Sequence, residues 1–411
     1  MSSTDVAASP PPGAGRRWLT PAVLGFGLAS FLSDAGHEAA TATLPALLIL
    51  LGSAPAALGI IEGVSDGLAS FAKLAGGWWA DRPHLRKPLA VGGYLATGLS
   101  VGIFGLATSW LHVVAARSVG WFARGVRGPA RDAMLADAVP PEAVGRAFGF
   151  HRAMDTAGAV VGPFLAMVLV AVVPLRQVFF WAVIPGVLAA VAFAVLVKRP
   201  PARVVATRRF GASLHSLPST YWQFLGAVFL FGAGDFARTL LILRATQLLA
   251  PEMGMARATA TALALYTAHN ILYAAACYPI GRLADRFSPR KLLVVGYVAG
   301  TLTAVLAMVA TPSLPLLVAL FAVAGLTLAF EDTLEGTITA RMVPPEVRGT
   351  GYGALAATNG IGDLLSSAIV GIVWTLEGPE IAFAFAAGMC LGGTAWLGIT
   401  RIREAQEEAG G

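Results

Sequence analysis

The sequence predicts an all-α membrane protein of twelve transmembrane helices, arranged as two six-helix pseudo-symmetric halves. Three observations predict it. Of the 411 residues, 56% are hydrophobic and only 13% are charged, and the mean hydropathy is +0.71. A soluble domain carries about 25% charged residues, so this chain lacks the polar surface needed to face water. Apolar segments about 20 residues long, enough to cross a ~30 Å hydrocarbon core, return along the whole chain. Finally, two separate motifs of the first half recur in the second at one common offset.

Apolar runs and their breakers place the spans at residues 19–50, 55–80, 88–109, 111–137, 144–173, 177–198, 219–249, 257–282, 290–311, 314–341, 347–375 and 380–401. The 47 glycines and 25 prolines do not argue against helices, because both are more frequent in membrane-spanning helices than in soluble ones. The expected domains are a disordered tail (1–18), an N-terminal six-helix bundle (19–198), a linker (199–218), a C-terminal six-helix bundle (219–401) and a second tail (402–411). Arg16-Arg17 before an apolar run looks like an export signal. That run, however, contains Asp34, His37 and Glu38 and continues to Leu51, too long and too charged for a removable segment.

Lysine and arginine in the short connections set the orientation. Arg82, Arg86 and Lys87, then Arg146, then Lys198 to Arg209, then Arg286, Arg290 and Lys291, then Arg341 and Arg348 all fall on one side, together with both termini. The short loops of the other side hold Arg176, and the longer loop near 244–257 adds Arg244 and Arg257. Both termini are therefore expected to be cytoplasmic, in a bacterial inner membrane. The net charge of +6 is read as topology-setting charge that meets anionic lipid, not as a nucleic-acid surface. Cys277 and Cys390 lie inside apolar runs and read as buried thiols, neither a disulfide framework nor a metal cluster.

Gly77-Trp-Trp-Ala-Asp81-Arg82-Pro-His-Leu-Arg86-Lys87 returns as Gly281-Arg-Leu-Ala-Asp285-Arg286-Phe-Ser-Pro-Arg290-Lys291, an offset of 204. Val139-Pro-Pro-Glu142 with Gly145 and Gly149 returns as Val343-Pro-Pro-Glu346 with Gly349 and Gly353, again at 204. Two motifs at one offset mark a duplication. The loop motif after spans 2 and 8 resembles the signature of the major facilitator superfamily. Gly158-Ala-Val-Val-Gly162-Pro163 in span 5 resembles a motif of that family's proton-driven exporters, although Phe164-Leu-Ala-Met lacks the glycines that usually follow. The arginine motif of span 4 is matched loosely, by Arg117 and Arg124-Gly-Val-Arg127-Gly. The resemblance implies a central site at mid-membrane, lined by spans 1, 4, 7 and 10, and two halves that rock about it.

Ionisable groups inside a membrane cost at least ~2.5 kcal/mol each and normally face a protein interior or a wet cavity. Asp34, His37 and Glu38 share one face of span 1. Glu62 and Asp66 lie one turn apart on span 2, and span 4 carries Arg117, Arg124, Arg127 and Arg131. Asp235 and Arg238 are on span 7, His269 on span 8, and Glu331, Asp332 and Glu335 on span 10. Asp34 and Glu38 are the expected proton-coupling groups, since a carboxylate taken out of water binds a proton more readily. Candidates for substrate contact are His37, Glu62, Asp66, Arg124, Asp235, Arg238, His269, Glu331 and Glu335. Simple helix-to-helix ion pairing is the alternative for each of them.

Asp81, at the end of span 2, can meet the positive end of a neighbouring helix, while Arg82, Arg86 and Lys87 can pair with carboxylates such as Asp132 or Asp137. With Arg127, Arg131, Asp285, Arg286, Arg290 and Lys291 they form a candidate latch. The expected activity is proton-coupled export of a small polar cationic or zwitterionic solute by a monomer in the lipid bilayer. Carriage of a divalent metal, or of an organic anion on the span 4 arginines, is the alternative. No enzyme chemistry, resident metal or cofactor is expected, and there is no Gly-x-x-x-x-Gly-Lys phosphate loop.

Overall fold

The computed structural model describes residues 18–53, 55–198 and 209–400, with the side chains of 45, 49, 55–60, 62, 63, 66, 67, 255, 256 and 259 excepted. Residues 1–17 of the first tail, the second tail, the first half of the linker, and the Glu62 and Asp66 side chains therefore lie outside the described residues. Within them the chain is helical. The first six helices are α1 (Pro21–Leu50), α2 (Pro55–Ala80), α3 (Pro83–Leu106), α4 (Trp110–Asp137), α5 (Val144–Val172) and α6 (Leu175–Leu196). A short α7 (Phe210–His215) follows. Then come α8 (Ser219–Gly232), α9 (Arg238–Met253), α10 (Met255–Ala284), α11 (Pro289–Met308), α12 (Leu314–Met342), α13 (Arg348–Glu377) and α14 (Pro379–Ile399).

Eleven of the expected spans are each met by one helix, and span 7 is not. It is broken between Gly232 and Arg238 into α8 and α9, which corrects the expected continuous helix over 219–249. The local cause is readable. Gly232 and Gly234 bracket the end of α8, and both weaken a helix interior. The backbone amides of Gly234 and Asp235 fold back onto Phe231 and Gly232, while that of Ala237 bonds the Ser367 hydroxyl of α13. The span 3 helix also starts earlier than expected. Pro83 begins α3 and Pro88 lies within its first turns, because proline is well tolerated at a helix start.

Seven helices, among them α3, α6, α11, α12 and α14, are long and apolar enough on their own to cross a membrane. Several of the others carry the charges or the break that the site uses. Outward residues such as Val195, Leu376 and Ile399 are exposed, as lipid-facing positions must be in the absence of lipid. Small residues bring the helices of a half together. Gly158 sits against the Phe31 backbone and Gly162 against Ala35 and Glu38, so the span 5 glycine motif seats α5 directly on α1.

The halves meet through two equivalent crossings, α2 against α13 and α5 against α10. A Cβ on Gly77 would lie 2.6 Å from the Gly349 carbonyl oxygen and 2.8 Å from Gly353 Cα. At the equivalent positions, offset by 204 residues, Gly281 and Gly145 face each other just as closely. Helix backbones pack this tightly only where side chains are absent.

Candidate functional site

Each crossing is capped by the aspartate of the loop motif. Asp81 Oδ1 accepts the Thr350 amide at 2.9 Å, and its Oδ2 accepts the Thr350 hydroxyl. The partner is thus the N-terminus of α13, in the other half, where unpaired amides and the helix dipole favour a carboxylate. Asp285 repeats the contact on α5, accepting the Gly145 amide at 2.8 Å and the Arg146 amide at 3.3 Å, with Arg146 Nε at 2.8 Å. Each half's loop therefore caps the fifth helix of the other. Burial pushes the Asp81 carboxyl up to about 6, against the Thr350 hydrogen bonds, which lower it. Burial raises Asp285 as well, opposed first by the Arg146 amide and guanidinium.

The basic residues around these caps are less symmetric. Arg86 donates to Asp137 at 2.6 Å and to the Ala80 and Pro345 carbonyls, and Arg348 of the other half also pairs with Asp137. Position 341, equivalent to Asp137, is an arginine that bonds the Ala284 carbonyl. The second loop therefore has no counterpart of the carboxylate shared by Arg86 and Arg348. Arg82 stacks over Trp78, Lys87 bonds the Ala194 carbonyl and Arg290 the Leu397 carbonyl. Arg286 sits in the second loop, and Lys291 in the first turn of α11, where its amide bonds the Ser288 hydroxyl that caps the helix. Arg127 and Arg131 lie inside the N-terminal half, on Ser33 and Tyr94 and on Asp132 and Ser30 respectively. They do not reach the interface contacts of the loops.

Beyond the closed basic end, a central cavity lies between the halves in two lobes that share Arg124 and Leu328. One lobe, about 770 Å³, is bounded by α2, α4, the break in span 7 and α13, with Lys73, Trp121, Asp235, Arg238 and Asp363 on its wall. The other, about 520 Å³, lies between α1, α5 and α10, with Asp34, Glu38, Asp155, Tyr266, Asn270 and Tyr273 on its wall. Arg124 grips Asp34 with both terminal nitrogens, at 2.9 and 3.1 Å. Trp121 beside it is covered by the Arg117 and Arg124 guanidinium groups and by the His37 ring.

On the C-terminal side, Arg238 clasps Asp235 at 2.8 and 3.0 Å across the break. Glu335 accepts from Tyr297 and Asn359, both at 2.7 Å, and Asp332 accepts from Tyr273. Glu331 is buried with one carboxyl oxygen unpartnered among the described residues. His269 bonds the Phe321 carbonyl and stacks on Tyr266, whereas His37 packs on Trp121. No group of three or more His, Cys, Asp or Glu with metal-holding geometry occurs among the described residues.

A family model described as the Major Facilitator Superfamily matches residues 26–265 and 227–410. The chain belongs to the major facilitator superfamily. It is a membrane transporter, not an enzyme, as the family's members are. An uncharacterized MFS-type transporter of Methanocaldococcus jannaschii is 27% identical over 368 residues, covering 89% of this chain and 91% of that one. An uncharacterized protein of Mycobacterium tuberculosis is 26% identical, with 86% of each chain covered. Among solved structures, the fold is similar to FucP in the outward conformation (TM-score 0.75, 15% identity, 93% and 100% covered). It is also similar to a bacterial homologue of the iron transporter ferroportin in an outward-facing state (0.74, 15%, 91% and 98%), and to the human organic anion transporter MFSD10 (0.69, 16%, 92% and 99%).

Within this facilitator fold, sequence reasoning picked out most of the charged wall and missed some of it. Lys73 is a lone lysine in an otherwise apolar stretch of α2, a signal in itself. The break that frees Asp235 is foreshadowed by Gly-Ala-Gly before it. Tyr273 and Tyr297, which donate to the half-buried Asp332 and the buried Glu335, carry no sequence signal that separates them from packing aromatics.

Proposed function

We propose that this transporter is a proton-coupled exporter of a small polar solute with a cationic centre, working by alternating access from a bacterial inner membrane with both termini in the cytoplasm. The observation that carries the reading is the central cavity, whose wall gathers ionisable groups from both halves. A carboxylate on such a wall changes charge when it takes a proton, and Asp34 is paired with Arg124, which lines both lobes, so its proton load alters how that guanidinium meets a solute. That linkage couples proton flow to solute flow. Asp34 and Glu38, on the wall of the smaller lobe, are the proposed proton carriers. The span 5 motif, which seats α5 against the Glu38 Cβ, supports export through its resemblance to proton-driven exporters. The basic end is taken as cytoplasmic from its arginine and lysine content, so the cavity is closed on the cytoplasmic side.

Of the alternatives, a metal cargo is suggested by the similarity to a ferroportin homologue, yet no described cluster of ligands supports it. An organic anion is suggested by the arginines around Trp121 and by the similarity to an organic anion transporter. It would have to sit opposite the carboxylates of the C-terminal half. The test is reconstitution with an internal pH-sensitive dye. Asp34→Asn or Glu38→Gln should abolish solute movement driven by a pH gradient while exchange at equal pH persists. Gradient-driven movement at the wild-type rate in both single variants and in the double variant would make the two carboxylates structural.

A further inference from the structure

The larger lobe has opposite charges on its two walls. From the N-terminal half, α2 contributes Lys73 and α4 contributes Arg124. Arg124 holds Asp34, yet about a third of its side chain (31%) stays exposed. Arg117 and Arg127 lie behind this wall on the same helix, while Asp34, Glu38 and Asp155 stand beside Arg124 in the smaller lobe, so the cationic groups that line the larger lobe from this half are Lys73 and Arg124. From the C-terminal half come Asp235 and Arg238, which neutralise each other, and Asp363. Asp363 has no hydrogen bond or ion pair among the described residues and is exposed on the cavity. Behind it α12 carries Glu331, Asp332 and Glu335, and Asp363 is the carboxylate that this wall presents to the lobe beside the Asp235–Arg238 pair. The Lys73 ammonium reaches α13 at Gly360, where a Cβ would lie 3.7 Å from its Nζ, one turn from Asp363. Between the poles the lining is apolar, with Leu74, Phe236, Leu328, Ile361 and Leu364.

A bare cation near Asp363 would meet Lys73 and Arg124, and a bare anion near Arg124 would meet Asp363. Like-charge contact of that kind is costly where water is scarce. A solute with both charges, separated by a short apolar body, satisfies both walls at once. We propose that the transported solute is a small zwitterion that bridges the halves, with its anionic group on the Arg124–Lys73 wall and its cationic group on Asp363. This rests on the reading of the chain as a transporter with a central site and deepens it to a substrate class. It also gives the solute a mechanical role. Only a molecule gripped by both halves draws them together over the cavity, so a solute with one charge occupies the site without closing it.

The experiment is equilibrium binding to the full chain in lipid nanodiscs, by calorimetry and thermal shift, with no pH gradient. The probes share one skeleton: 6-aminohexanoate, hexylamine and hexanoate, beside a panel of small α-amino acids and betaines. At least one zwitterion should bind, and its matched amine and acid should bind 10-fold or more weakly. Asp363→Asn should remove the preference of zwitterion over acid, and Lys73→Gln should remove the preference of zwitterion over amine. That exchange of charge preference is one a merely structural role would not produce. Equal binding of amine and zwitterion by the wild type, equal binding of acid and zwitterion, or no binding by any zwitterion of the panel would each overturn the proposal. None of these outcomes bears on proton coupling, which the Asp34 and Glu38 variants test separately in a gradient.

Discussion

Alanine at Gly77 or Gly349 should drive the transporter out of the conformation closed at the basic end. A Cβ on Gly349 would fall 2.5 Å from the Gly77 carbonyl oxygen and 2.8 Å from the Ala80 carbonyl carbon. One on Gly77 would fall 2.6 Å from the Gly349 oxygen. These neighbours are backbone, so no side chain can turn aside and α2 and α13 must separate. Overpacking of this kind costs about 1–3 kcal/mol, which moves a two-state equilibrium about 5- to 150-fold. Alanine also favours helix over glycine, but that effect is common to both conformations and cancels. Gly92, on α3 with nothing within 4 Å of a Cβ, supplies the control. The assay is double electron–electron resonance between spin labels at His84 and Glu346, both exposed at the basic end. Native Cys277 and Cys390 are buried and do not compete for label. Gly77→Ala and Gly349→Ala should lengthen the label distance and Gly92→Ala should leave it unchanged. Identical distance distributions in all three would refute the claim that this glycine crossing holds the end closed.

Acid on the basic side should favour closure there. Asp81 titrates at about 6 when capped on α13 and near the usual carboxylate value of about 3.9 when released to water. The closed state therefore binds the proton more tightly, and its population relative to open should rise about tenfold between pH 7 and pH 5. The same label pair reads this, and Asp81→Ala should abolish it. Asn359→Leu should lower the melting temperature clearly, since it leaves a buried Glu335 oxygen without its donor, a loss of about 1–3 kcal/mol. Glu380→Ala should leave the melting temperature within error, because its partner pair with Arg244 has a carboxylate that is 61% exposed.

The sequence carried the fold because span length and duplication are both linear properties. The α2 helix runs over 55–80 as its apolar run does, and the 204-residue offset foretells the reciprocal caps of Asp81 and Asp285. The helix-dipole reading of Asp81 was likewise available from its position at a span end. What could not be read is which charges meet. Asp34 and Arg124 are 90 positions apart, and Arg348 and Asp137 are 211 apart; those pairings depend on helix rotation, which spacing does not encode. The break in span 7 escaped because membrane spans tolerate glycine, so Gly232-Ala-Gly234 hints at a break without saying that the helix stops before Asp235. The sequence offers Arg127 and Arg131 as members of the candidate latch. They turn inward onto Tyr94, Ser33 and Asp132 instead, since a guanidinium buried in a half finds its partners there.

The central claim is that one cavity serves two sides in turn, with closure at one end tied to opening at the other. The most direct test measures both ends in the same protein in lipid, with labels at His84 and Glu346 for the basic end and at His112 and Ser313 for the opposite end. As pH is varied, and in the Gly77→Ala background, the two distances should change in opposite directions in every condition. Both distances lengthening together, or the opposite end standing still while the basic end opens, would contradict it.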